Sequence, residues 1–252
     1  MPMDVTFASF RGHTFYRLGL GIRPRILDLG ANHGGFAREA SERLGAEVRM
    51  VEANPKLCAE LSTPGSLPVF HCAVTDKTGW IAFNLALNDE GSSILTLPPK
   101  SKFDCVLTET ITVPTRTIAS LLEEIGWDHV DLIKMDIEGA EVCVLNALEP
   151  ALLDRIGQLS IEFHGDSVFG LSTHEQVEKC LKKMRRLGFL VLDFTLPGRF
   201  DVLMLNTRVL RISLTNRLGW QLTRRLYQVI RMTPPAFRKN LKILLKREIT
   251  SS

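Results

Sequence analysis

Between an apolar run ending at Leu29 and an amphipathic stretch opening at Gly35, the chain reads D-L-G-A-N-H-G-G-F over residues 28–36. A glycine-rich turn from a buried strand into a helix commits its surroundings to an α/β layer, because the helix must pack back onto the sheet. Dinucleotide binders need G-x-G-x-x-G at such a turn, the middle glycine letting the pyrophosphate approach the backbone. Here Gly30 and Gly35 hold the outer positions and Asn32 the middle one. A side chain stands where a pyrophosphate would sit, which disfavours NAD. The turn suits a nucleoside ligand with no diphosphate at that point, and S-adenosyl-L-methionine is the common one on this scaffold. Glu52 follows Gly30 by 22 residues, at the end of the next apolar run, where a carboxylate can accept both ribose hydroxyls.

Apolar, branched runs alternate with helical patterns on either side of this turn, the signature of a mostly parallel sheet covered on both faces. The expected strands are 25–30, 47–53, 68–74, 130–137 and 158–163, with helices over 35–44, 55–61, 117–125, 140–148 and 173–187. Between Gly79 and Pro114 the alternation turns to β, and an inserted hairpin region is expected there. Residues 189–206 give two further strands around Pro197-Gly198. A terminal hairpin favours a Rossmann-like class I methyltransferase fold, with a seven-stranded sheet whose last strand runs antiparallel. The expected organisation is a methyltransferase domain over 1–206 with the β-rich insertion near 79–114, followed by a basic helical tail over 207–252.

Five cysteines (Cys58, Cys72, Cys105, Cys143, Cys180) form no C-x-x-C pair, so neither a zinc site nor a disulfide framework is indicated. No basic leader with an apolar core opens the chain, and no apolar run approaches the roughly 18 residues of a spanning helix. A reducing, cytoplasmic setting is expected. The net charge of +3 conceals an asymmetry: residues 207–252 hold eleven Lys and Arg against Glu248, whereas the preceding 206 residues carry 20 basic and 27 acidic side chains.

The order D-L-G-A-N-H-G-G-F, V-E-A-N-P, H-C-A-V-T-D-K-T-G, V-P-T-R-T-I-A-S-L-L, K-M-D-I-E-G-A-E and I-E-F-H resembles the FkbM family of S-adenosylmethionine-dependent methyltransferases, over residues 26 to 164. The first motif is shared with many methyltransferases; K-M-D-I-E-G-A-E after T-R-T-I-A-S-L-L is more specific. His33 departs from a frequently apolar position, and Arg116-Thr117-Ile118 from the more usual Thr-Leu-Asp. The resemblance implies that Asp28, Gly30 and Asn32 border the methionine part of the cofactor, with the helix opening near Gly34 and Gly35 offering N–H donors to its carboxylate. It further implies that Glu52 takes the ribose with Ala53 beside it, that Cys72, Ala73 and Val74 line the adenine, and that Asp136 sits beside the transferable methyl. All these positions fall at the carboxyl ends of strands, where open α/β sheets bind ligands.

Methyl transfer to a hydroxyl needs a positioned acceptor and a base. Asp136, Glu138, Glu141, Glu162 and His164 are the candidates. Asp136 and Glu138 alternate along a strand end and serve one site only if the chain turns, which Gly139 permits. Glu141 also reads as a first-turn carboxylate favoured by a helix N-terminus. His164 is the proton acceptor suited to neutral pH, or else a hydrogen-bonded strand-end histidine. Asp136, Glu162 and His164 together suit a divalent ion such as Mg, Mn or Zn, without tight ligand spacing to require one. His13, His71, His129 and His174 read as structural or solvent-facing, and Cys72 as strand packing.

In the tail, Leu214, Leu218, Leu222, Leu226 and Val229, then Phe237, Leu241, Leu244, Leu245 and Ile249, recur at helical spacing among basic residues. Two amphipathic helices are expected, suited to an anionic membrane or glycolipid surface, to packing or oligomer contact, or to nucleic acid. Few aromatics accompany them, which sets nucleic acid last. The expected activity is S-adenosylmethionine-dependent O-methylation of a hydroxyl on a sugar, glycolipid or related natural-product acceptor, the acceptor class resting on the resemblance alone. An RNA methyltransferase using the tail and a non-catalytic cofactor-fold interaction module are the rival readings. The acceptor pocket is expected from residues 84–112 and the loop after His164.

Overall fold

The computed structural model describes residues 6–86, 92–94, 107–164, 172–195 and 201–220. The chain divides into two compact units, Met1–Arg211 and Ile212–Ser252.

The first unit opens with a hairpin of β1 (Phe7–Phe10) and β2 (His13–Tyr16), which the sequence reading left unassigned. Its register pairs Phe10 with His13, so Arg11 and Gly12 form a two-residue turn, both at positive φ (48° and 106°). Then come β3 (Arg25–Leu29), α1 (Gly35–Leu44), β4 (Glu47–Glu52), α2 (Pro55–Leu61), β5 (Val69–His71), β6 (Ala73–Val74), β7 (Gly79–Ala86) and β8 (Leu107–Arg116). The remainder is α3 (Ile118–Ile125), β9 (Val130–Met135), α4 (Glu141–Ala147), α5 (Pro150–Leu153), β10 (Ile156–Glu162), α6 (His174–Arg186), β11 (Phe189–Asp193) and β12 (Asp201–Asn206).

Seven strands form the main sheet in the order β11-β12-β10-β9-β3-β4-β5, with β12 antiparallel to both neighbours. Both the reversal of order at β3/β9 and the antiparallel β12 are those of the Rossmann-like class I methyltransferase fold. The helix ends follow local chemistry. Asn54 caps α2 by accepting from Lys56 N, with Pro55 at the first helical position. Thr117 and Ser120 close a reciprocal capping box on α3, which accounts for the helix start without an acid.

The expected third strand over 68–74 is in fact two. β5 pairs with β4 in the main sheet, whereas Ala73 and Val74 pair with Thr115 and Arg116 of β8. The chain leaves one sheet for another at Cys72, so a single apolar run serves two ladders. The insertion is an antiparallel pair, β7 with β8, completing a three-stranded sheet in the order β6-β8-β7. Within the expected β-rich region Ser93 bridges Asn84, while residues 87–91 and 95–106 lie outside the described residues, as does the turn at Pro197-Gly198.

The main sheet is covered on both faces. Leu27, Leu29, Val51, Ile133 and Met135 face α3, α4 and α6, while Ile26, Val48, Met50 and Leu132 pack with Phe36, Ala37 and Ala40 of α1 and with Phe10 and Phe15 of the hairpin. Each strand therefore alternates between two apolar layers, the pattern of a sheet buried on both sides. In the second unit, residues 214–220 are helical, with Ser213 Oγ accepting from Asn216 N. The rest of the expected tail helices lies outside the described residues. No helix among the described residues is long and apolar enough to cross a membrane.

Candidate active site

Polar residues break the apolar alternation where the strands end. Asp28 of β3 and Lys134 of β9 are paired in register on neighbouring strands. Lys134 Nζ lies 3.2 Å from Asp28 Oδ1 and 3.6 Å from Asp136 Oδ2, and donates to the Gly30 carbonyl at 2.6 Å. Asp28 is fully buried, and burial pushes its carboxyl up against the pull of Lys134. Lys134 is buried as well, which would lower it, yet Asp28 and Asp136 outweigh that and hold it charged above its ordinary value.

The glycine turn fits between these strand ends. A Cβ on Gly30 would lie 1.8 Å from the Asp136 carbonyl oxygen, at φ +73°. Only glycine allows β9 to end so close to the turn. Asn32 takes φ +49° and donates its N–H to Glu52 Oε2 at 2.8 Å, while Asn54 N donates to Glu52 Oε1 at 2.8 Å. Burial pushes the Glu52 carboxyl up, against these two donors that draw it down. Each carboxylate oxygen keeps a lone pair beyond its backbone donor. Asn32 Oδ1 is buried without a partner among the described residues.

Around this turn opens a cleft lined by Gly30, Asn32, Val51, Glu52, Ala53, Cys72, Ala73, Val74, Phe83, Ser92, Ile94, Asp136, Ile137, Glu138 and Ala140. Eight of the positions named from the sequence for the cofactor thus share one wall. The insertion contributes Phe83, Ser92 and Ile94. Asp28, Gly34 and Gly35 stand behind the lining. Asp28 faces Lys134, Gly34 is the left-handed N-cap of α1, and Gly35 lies under the Arg11 guanidinium, which a Cβ would meet at 2.9 Å. Cys72 is buried and its thiol is pushed up to about 12 by that burial, as packing requires and a nucleophile does not.

Beyond β9 the chain turns sharply through Glu138 (φ +53°) and Gly139 (φ +106°). This turn puts Asp136 and Glu138 on the same histidine. His164 Nε2 is 3.6 Å from Asp136 Oδ1 and 3.3 Å from Glu138 Oε2, while its Nδ1 is 2.9 Å from Glu141 Oε1. Glu141 has no exposure and also accepts the N–H groups of Gly139 and Ile137 at the start of α4. It is both the first-turn carboxylate and the fixed partner of the imidazole. Burial pushes His164 down, but Glu141, Glu138 and Asp136 reverse this and raise it to about 10. Burial lifts Glu138 to about 8, helped by its acidic neighbours and opposed by His164. Burial also acts on Asp136, but Lys134 and His13 overcome it and hold that carboxyl well below the usual range.

His13 and Lys134 enter the cluster without having been named for it. His13, on β2, is 2% exposed with Nε2 3.6 Å from Asp136 Oδ2. The metal-capable set Asp136, Glu162 and His164 is divided between two groups that share Asp136: His13, Asp136 and Glu162, and Asp136, Glu138 and His164, with donor atoms within 4.8 Å in each. The Lys134 signal is a lysine between the apolar Ile133 and Met135 in a buried strand; its partner Asp28 follows only from strand register.

The family model described as the methyltransferase FkbM domain matches residues 28–191, and the chain belongs to that family. It is similar to the 2-O-methyltransferase NoeI of Sinorhizobium fredii, 32% identical over 136 residues that cover 48% of this chain and 56% of NoeI. The match thus spans little more than half of that curated relative. Among solved structures it is similar to a precorrin-6y C5,15-methyltransferase of Geobacter metallireducens (11% identical, TM-score 0.40, 74% of this chain and 81% of that one). It is also similar to a TehB-like SAM-dependent methyltransferase of Corynebacterium glutamicum (13% identical, TM-score 0.39, 74% of this chain and 82% of that one).

Proposed function

We propose that the chain transfers a methyl group from S-adenosyl-L-methionine to a hydroxyl of a sugar, glycolipid or related natural-product acceptor, with His164 accepting the hydroxyl proton. The observation that carries this reading is the orientation of His164. With Nδ1 tied to buried Glu141 at 2.9 Å, Nε2 is turned toward Asp136 and Glu138, both of which line the cleft. A histidine fixed by a carboxylate on one nitrogen, with the other turned to the carboxylates of the cleft, supports the reading as a general base.

The cleft residues fit the cofactor. Glu52 would accept the ribose hydroxyls with the lone pairs its backbone donors leave, and Asn32 Oδ1, buried and without a partner among the described residues, would receive an ammonium. Val51, Ala73, Val74, Phe83 and Ile94 supply apolar walls for a purine. The bound cofactor supplies an electrophilic methyl on a cationic sulfonium, which leaves sulfur as the acceptor oxygen bonds to it. Asp136, held ionised, suits that positive charge, and Glu138 beside it, lifted to about 8, adds a second negative charge only as pH rises. A cation beside these carboxylates would weaken their hold on the His164 imidazolium and lower its pKa, the condition for Nε2 to accept a proton.

O-methylation is supported by the likeness to a 2-O-methyltransferase; the acceptor class rests on the family resemblance. The readings as an RNA methyltransferase or as a non-catalytic module gain no support from the family assignment. The test is incubation with methyl-labelled cofactor and separate lipid-linked glycan, soluble glycan and RNA fractions. Alkali-stable label in a glycan or glycolipid fraction, absent with His164→Ala, supports the proposal. Label in RNA alone contradicts it.

A further inference from the structure

We propose that His13, on the N-terminal hairpin, is a positioning residue that sets the Asp136 carboxylate; this rests on the reading of Asp136 as the group beside the reacting methyl. The family match begins at residue 28, so the hairpin lies ahead of the domain to which the site residues belong.

The hairpin could cover α1 with Phe10 and Phe15 alone, both of them buried in that layer. It nevertheless sends a histidine inward. Burying an imidazole costs free energy unless a partner compensates. His13 Nδ1 finds none among the described residues, so compensation comes through Nε2, 3.6 Å from Asp136, with a Glu162 carboxylate oxygen within 4.8 Å of both. The 3.6 Å separation is too long for a hydrogen bond and short enough for strong electrostatic influence in a buried setting. Phe36 stands edge-on to the ring, with centroids 5.8 Å apart and planes at 85°, and fixes its orientation. On the other side of the carboxylate, Asp136 Oδ1 faces His164 Nε2, also at 3.6 Å. Asp136 is therefore held between two imidazoles, with Lys134 beside the oxygen that faces His13.

The residues flanking His13 hold it there. Thr14 N donates to both oxygens of Asp201 at 3.2 Å, and the Thr14 hydroxyl donates to the same carboxylate. Tyr16 N donates to Gln158 Oε1 at 2.8 Å, and Gln158 Nε2 returns a bond to Tyr16 O at 3.2 Å. Asp201 and Gln158 are buried strand residues that an apolar core would not need. They fix the register of the hairpin on β10 and β12, and so the reach of His13. Such supporting contacts are what hold a reactive carboxylate to a fraction of an ångström.

The test compares His13→Leu with His13→Gln, which keeps an N–H donor near the position of Nε2. The 13C carboxyl resonance of Asp136 is compared at one neutral pH. Without His13 the carboxylate loses a polarising neighbour, so its resonance shifts in His13→Leu and returns toward wild type in His13→Gln. Methyl transfer should fall about 10-fold or more in kcat for His13→Leu, with the cofactor KM changed less than about 3-fold, and recover in His13→Gln. A purely structural role would leave the Asp136 resonance unmoved, or make the two variants equally impaired, and either result overturns the proposal. The resonance decides the coupling independently of turnover, whereas absence of any methyl transfer by the wild type would sink the functional reading.

Discussion

Nδ1 of His164 lies 2.9 Å from Oε1 of Glu141, a carboxylate with no solvent exposure that also accepts two backbone N–H groups at the start of α4. The pair fixes which imidazole nitrogen faces Asp136 and Glu138, the carboxylates that line the cleft. Glu141→Gln keeps the shape but replaces an acceptor-only group with an amide whose N–H₂ can face Nδ1. The imidazole then loses its orientation and its charge partner. We expect kcat to fall by about 10- to 100-fold with S-adenosylhomocysteine affinity within about 3-fold of wild type. Equal losses in both would place Glu141 in cofactor binding instead.

Glu138 sits 3.3 Å from His164 Nε2 and contributes to raising its pKa to about 10. A base must be neutral to act, so kcat/KM should climb with pH through the alkaline range as free His164 loses its proton. Removing a nearby negative charge destabilises the imidazolium and lowers its pKa. In Glu138→Gln the rising limb should therefore move to lower pH, by about one unit. A pH–rate profile with an unmoved limb would mean that His164 is not the group that titrates.

Gly30 is required by contact as well as by conformation. The Cβ of Gly30→Ala would sit 1.8 Å from a backbone oxygen at φ +73°, so β9 and the turn must separate. We expect a loss of more than about 2 kcal/mol in chemical denaturation. Gly126→Ala is the control: it also has positive φ (+76°), but a Cβ there meets nothing within 4 Å, and the loss should stay near 1 kcal/mol. Similar losses for both would remove the close-approach argument.

The basic second unit is expected to bind anionic surfaces. Vesicles containing anionic lipid should retain the full chain at low salt and release it as salt rises. Deletion of residues 212–252 should abolish retention, and retention unchanged by the deletion would refute a membrane role for this segment.

Elements whose signals are local were legible in the sequence. The helices Gly35–Leu44 and Pro55–Leu61 start and stop at Gly34, Gly45, Asn54 and Pro55, residues whose capping chemistry is written in the chain. The N-terminal hairpin was not legible, because its turn is Arg-Gly rather than the Asn-Gly or Asp-Gly that marks such turns, and its strands have four residues each. The split of 68–74 was equally hidden, since an apolar run looks the same whether it serves one ladder or two. In the site, eight of the cleft residues could be named in advance from their motif positions, whereas Phe83, Ser92 and Ile94 come from the insertion, which carries no motif. His13 and the Asp28–Lys134 pair could not, because their proximity is created by strand register and hairpin docking across more than a hundred residues of chain.

The central claim is that the cleft around Glu52 and Asn32 holds S-adenosylmethionine and its product. Isothermal calorimetry with S-adenosylhomocysteine tests it most directly. The account predicts saturable binding to one site per chain, weakened about 10-fold or more by Glu52→Ala, with no comparable heat from NAD. The absence of binding at millimolar S-adenosylhomocysteine, or affinity indifferent to Glu52→Ala, would contradict it.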